Sequence, residues 1–129
     1  CDNALELARF LQGLGGDIEV NYPGLEKSPY HEIAEKQFRN GYGAIVTVRT
    51  GSKEKAFSII NSLKIPLIIS NIGDTKTLVI HPESTIAAHI SDEEKLQSGV
   101  FEDLIRISVG IEDIEDLKED FKQAIENNR

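Results

Sequence analysis

Apolar positions recur along the 129 residues with two different periods, and the change from one to the other marks out the elements. Ala4, Leu7, Ala8, Leu11 and Leu14 fall three or four apart, the spacing of one helical face. Asp2 is placed to cap that helix and Gly15 with Gly16 to end it. Ser28 and Pro29 read as N-cap and first-turn proline of a helix from His31 to Phe38. Ser52 opens a third, carrying Ala56, Phe57, Ile60 and Leu63. "SDEE", Ser91 to Glu94, has the form of a capping box for a short helix up to Ser98, which Gly99 ends. Ile114, Leu117, Phe121 and Ile125 stripe the last helix.

Between these stretches the period shortens to two. "DIEVNYPG" reads as a short strand into a turn, and "GAIVTVRT" sets Ala44, Val46 and Val48 against Ile45, Thr47 and Arg49. Pro66 precedes the apolar strand "LIIS", and "TLVIH" follows as another. In the final strand Ile105, Ile107 and Val109 alternate with Leu104, Arg106 and Ser108. Strands with two unlike faces, interleaved with helices, predict an α/β fold (an α+β two-layer sandwich) in which helices cover one face of a small antiparallel or mixed sheet. No repeat or linker divides the chain, so 1–129 is expected to be a single domain.

Composition narrows the functional classes. With 40% hydrophobic and 28% charged residues the chain is ordinary globular material. Its formal net charge is −8, and from Glu112 onward seven acids face three bases, which argues against a nucleic-acid partner. No run approaches the roughly 18 apolar residues of a membrane span, and no signal-peptide order leads the chain. A single cysteine precludes an intrachain disulfide, and together these features predict a cytoplasmic protein. The chain has no methionine and begins at Cys1, so it is expected to be processed or a piece of something longer. A lipid-bearing or nucleophilic Cys1 fits poorly, because helix begins at once and no base stands nearby in the sequence.

The chemistry-bearing residues are few. His31, His81 and His89 lack metal-ligand spacing, and no metal site is expected. "GDTKT" has a lysine, Lys76, but lacks a full glycine-rich run and leads into a strand, so Lys76 reads as a solvated turn residue. "HPEST" is either a binding loop or a strand terminator. The acids Glu112, Asp113, Glu115, Asp116, Glu119 and Asp120 suit a helix N-terminus and a solvated face better than a metal. Arg106 is the exception: a guanidinium fork on a strand is rigid and matches a carboxylate. Periodicity alone leaves open whether it binds an anion or is a plain surface arginine.

Four blocks together carry a resemblance: "DNALELARFL", "VNYPGLEKSPYHEIAEK", "SNIGDTKTLVIHPEST" and "DLIRISVGIEDIEDLKEDF". In order and spacing they resemble the C-terminal domain of the pyridoxal-phosphate-dependent enzymes of cysteine and methionine metabolism, closest to the O-acetylhomoserine sulfhydrylases. The resemblance implies a fold-type I enzyme whose large domain, with the cofactor lysine, lies outside these residues. It also implies that Arg106 clamps the substrate α-carboxylate, with the turn at Asn71 beside it. The implied reaction is γ-replacement on an O-acylated homoserine by sulfide or a thiol, in a protein that is usually a homotetramer. Relatives often have threonine and histidine where Ile86 and Ala87 stand. No catalytic or cofactor-binding residue is expected within this chain, which alone should be inactive and hold no pyridoxal phosphate. The alternative is a freestanding amino-acid-binding or regulatory domain.

Overall fold

The computed structural model describes residues 2–16, 18–39, 41–69 and 75–128. In chain order the elements are α1 (Asp2–Leu14), β1 (Glu19–Asn21), α2 (His31–Gln37), β2 (Ile45–Arg49), α3 (Lys53–Ser62), β3 (Leu67–Ile68), β4 (Leu78–Ile80), α4 (Asp92–Gln97), β5 (Leu104–Ser108) and α5 (Ile114–Glu126). The strands form one five-stranded sheet in the order β1-β2-β5-β4-β3. All neighbours are antiparallel except β3 and β4, which are parallel, so the sheet is mixed.

The periodic stripes meet where the sequence pattern places them. Leu7 and Leu11 of α1, Ile59 and Ile60 of α3, and Leu117, Phe121 and Ile125 of α5 pack with Val46, Val48, Val79, Ile105 and Ile107 of the sheet. Three helices therefore share one face, and each fully buried branched or aromatic side chain contributes about 1.5–3 kcal/mol of apolar burial. Ser52 Oγ accepts from the Lys55 N–H at the start of α3. Ser91 Oγ accepts from the Glu94 N–H at α4, as the capping-box spacing predicts. Gly15 and Gly99 both take positive φ, 63° and 75°, the left-handed conformation that lets a chain leave a helix.

Two expectations need correction. Ser28 does not cap α2: its Oγ accepts from the Tyr30 N–H and its carbonyl from His31, and the N-cap position belongs to Tyr30, which makes no side-chain cap bond. The serine and proline build a turn first, and that turn takes up the oxygens a cap would need. Nor does the second sheet face stand wholly clear. Leu78, Ile80 and Ser108, which share it with Arg106, are each 2% exposed, so β4 is buried on both sides. The open part of this face belongs to β1 and β2, where Glu19 and Asn21 are exposed and Thr47 and Arg49 half-buried.

Candidate functional site

Arg106 lies at the middle of β5, the central strand of the sheet, and is half-buried. Its cross-strand neighbours are Thr47 on β2 and Ile80 on β4. Ile105 and Ile107 on either side point into the core at 2% and 1% exposure, which pins the strand and with it the face from which Arg106 projects. Asn71, the other expected substrate contact, lies outside the described residues, as does Cys1.

Just beyond β5 a polar bracket ties the end of this strand to the start of β4. Thr77, fully buried, donates from Oγ1 to Glu112 Oε1 at 2.7 Å and from its N–H to Oε2 at 2.8 Å. Its Oγ1 in turn accepts from the Gly110 N–H at 2.9 Å. Asn3 of α1 donates to the carbonyls of Gly110 and Glu112. Gly110 is obligatory here, since a Cβ would stand 2.3 Å from the Thr75 carbonyl oxygen. Sequence reading gave Glu112 to the helix dipole; the fold commits it to this bracket instead, and only Asp113 caps α5, accepting from Glu115 and Asp116. Asp120 accepts from the Lys64 and Ile65 N–H groups. The acids are thus dispersed among structural tasks, and among the described residues no cluster suits a metal.

His81 resolves the ambiguity of "HPEST". Its Nε2–H donates to the Glu102 carbonyl at 2.5 Å, and Nδ1 accepts from Ser84 Oγ at 2.8 Å. Both ring nitrogens are engaged in holding the chain as it leaves β4 into the 3-10 turn Pro82–Ser84, so the segment acts as a strand terminator. Within that turn Glu83 pairs with Lys95, Nζ to Oε1 3.0 Å, and with Lys53, Nζ to Oε2 3.2 Å. The hydrogen bond from Lys95, then the ammonium of Lys53, holds the Glu83 carboxyl below its ordinary pKa against the opposing effect of burial.

The feature sequence reading did not single out is Arg49. Because β2 and β5 are neighbours, Arg49 shares a sheet face with Arg106, one diagonal step away: Thr47 pairs with Arg106 and Arg49 with Leu104. The guanidinium of Arg49 lies 4.0 Å over the Phe101 ring and Nε donates to Asp103 Oδ1 at 3.1 Å. Asp103, buried, uses Oδ2 for the Gly51 N–H. Two cavities meet at this arginine. One, of about 370 Å3, is walled by Phe101, Asp103, Glu83 and Lys95. The other, about 340 Å3, is lined by Glu19, Asn21, Lys27, Ser28, Thr47 and Arg49; Thr47 is the cross-strand partner of Arg106.

A phosphate-bearing cofactor needs converging N–H donors, at a helix N-terminus or a glycine-rich loop. At α3 and α4 one such donor is met by Ser52 and Ser91, at α5 two by Asp113, and Lys76 stands exposed in the bend before β4.

The model of the Cys/Met metabolism PLP-dependent enzyme family matches residues 1–126, and the chain belongs to that family. Homocysteine synthase of Schizosaccharomyces pombe is 42% identical over 125 residues, which is 96% of this chain and 29% of that protein. O-acetyl-L-homoserine sulfhydrylase 1 of Thermus thermophilus is also 42% identical, over 96% of this chain and 30% of the relative. Among solved structures, O-acetylhomoserine (thiol)-lyase of Campylobacter jejuni, which carries N'-pyridoxyl-lysine-5'-monophosphate, superimposes with a TM-score of 0.91 at 37% identity, over 97% of this chain and 30% of that one. The architecture is that of fold-type I enzymes, and the chain spans about 30% of the length of the relatives it matches. Among the described residues no helix is long and apolar enough to cross a membrane.

Proposed function

We propose that this chain is the substrate-carboxylate-binding domain of a cytoplasmic γ-replacement enzyme, with Arg106 as the clamp and the turn at Asn71 beside it. The substrates are an O-acylated homoserine, O-acetylhomoserine in the first instance, and sulfide or a thiol, giving homocysteine or a relative. Pyridoxal phosphate, held by a large domain outside these residues, supplies the electron sink for losing the γ-acyloxy group. The enzyme assembles as a homotetramer. The observation that carries this reading is Arg106 itself: a half-buried guanidinium on the central strand, on the face away from the helices. Held there, its fork offers two parallel N–H donors to a carboxylate. Binding energy at that remote group aligns the reacting carbon chain without touching it. The 42% identity to a homocysteine synthase and to an O-acetylhomoserine sulfhydrylase supports the choice of substrate.

The test is steady-state kinetics of Arg106→Lys and Arg106→Ala in the complete enzyme with O-acetylhomoserine and sulfide. Lysine keeps the charge and loses the fork, so both variants are expected to fall. Truncation to alanine should cost on the order of 2–5 kcal/mol in kcat/KM. A kcat/KM within about threefold of wild type, roughly 0.7 kcal/mol, refutes the assignment.

A further inference from the structure

We infer that residues 91–100, the segment built around α4, form a flap that opens over the 370 Å3 cavity while the core stays folded, and that the ion pair between Lys95 and Glu83 is its catch. Apolar burial does not hold this segment down. Lys95 is the one buried residue of α4, and Leu96, the helix's one large apolar side chain, is 64% exposed. None of residues 91–100 belongs to the core around Leu7, Val46 and Phe121. A region with so few buried apolar contacts opens at a lower free energy than the core does.

Backbone hydrogen bonds do not hold it either. The Lys95 N–H donates to the Ser91 carbonyl, Ser98 to Glu94, Gly99 to Leu96 and Val100 to Lys95, so each of these bonds closes within the segment. Among the described residues, its one side-chain hydrogen bond or ion pair to the rest of the chain runs from Lys95 Nζ to Glu83 Oε1, 3.0 Å. Glu83 is fixed in turn to α3 by Lys53, so the stationary half of the catch belongs to the body of the domain. The pair is shielded, at 11% and 16% side-chain exposure, where a charge-assisted bond counts for more than it does on the surface.

The cavity supplies the room. Asp92, Lys95, Leu96 and Val100 line it from the flap, and Arg49, Gly51 and Asp103 line it from the body, so open space rather than packed side chains separates the two there. A helix of 6 residues has no stability of its own in water. Once the catch parts, the internal bonds of α4 are lost as well, and its amides exchange with solvent.

The experiment is hydrogen exchange of the full-length protein read by mass spectrometry, with peptides spanning 91–100 compared with those of β5 and α5. The flap peptides are expected to exchange at least about tenfold faster than the core peptides. Low concentrations of urea should change the flap rate little, because its opening exposes little surface, while core exchange accelerates steeply. Flap peptides as slow as those of β5, or as sensitive to urea, show that the segment opens only with the whole domain and overturn the inference. Glu83→Gln keeps an acceptor but removes the charge, and should speed flap exchange at least about threefold, the difference between a charged and a neutral hydrogen bond. Lys95→Met removes the pair from the other side and should act in the same direction, which decides the matter should Glu83→Gln disturb the turn itself. Flap exchange unchanged in both variants refutes the catch.

Discussion

Replacing Thr77 with valine probes the bracket that fixes the Arg106 strand against β4. Valine keeps the shape and burial of threonine but removes the hydroxyl, which is both donor to Glu112 Oε1 and acceptor from the Gly110 N–H. The first bond, to an ionised group, is worth about 1.5–3 kcal/mol, and an N–H left buried without an acceptor costs about 1–3 kcal/mol. The two share one oxygen and do not simply add, so the expected loss is about 2–5 kcal/mol. That is a large part of the roughly 5–15 kcal/mol that holds a domain folded. Urea denaturation followed by circular dichroism reads it directly. With a slope of roughly 1–3 kcal/mol per molar urea, the midpoint should fall by on the order of 1–2 M. Thr77→Ser, which restores the oxygen, should recover most of the loss. A midpoint within about 0.3 M of wild type for the valine variant would show that the bracket carries no stability, and with it the account of how Arg106 is held.

Gly110→Ala should destabilise by at least about 1–3 kcal/mol, the cost of forcing volume into a packed site, because the new Cβ meets backbone at Thr75 and Lys76 that has no side-chain freedom to yield; thermal unfolding checks this, and an unchanged Tm contradicts it. Glu83 has a folded pKa below its ordinary 4.5, so its contribution is fully present above pH 4.5 and is lost as the pH falls through the lower folded value. Glu83→Gln should therefore be less stable than wild type at pH 7, with the gap closing as the two are compared at successively lower pH below 4.5, and a gap independent of pH would refute the pairing with Lys95 and Lys53.

Much of the architecture was legible because it rests on local rules. The stripes of α1, α3 and α5 and the alternation of β2 and β5 follow from which positions must avoid water, and caps such as Ser52 and Ser91 follow from the N–H groups a helix start leaves open. The turn at Ser28 misled for a related reason: one serine can serve either a turn or a cap, and the choice depends on what the next three residues do. Arg106 stood out in the sequence because a charge in an apolar strand is costly unless its face is polar. Its role came from resemblance over four blocks, not from periodicity.

Strand order is where local information ends. Nothing in "GAIVTVRT" says that it pairs with "DLIRISVG" across some 55 residues, yet that pairing alone puts Arg49 on the same face as Arg106 and brings Asp103 under it. The burial of β4 on both sides, the capture of Glu112 by Thr77, and the engagement of both nitrogens of His81 are likewise contacts between segments distant in the chain. The sequence by itself determined which residues form helices and strands, which faces turn inward, and that one arginine faces away from the core. Only the tertiary structure decided which polar side chains meet, because hydrogen bonds and ion pairs depend on distances of a few ångströms between segments that sequence periodicity does not relate.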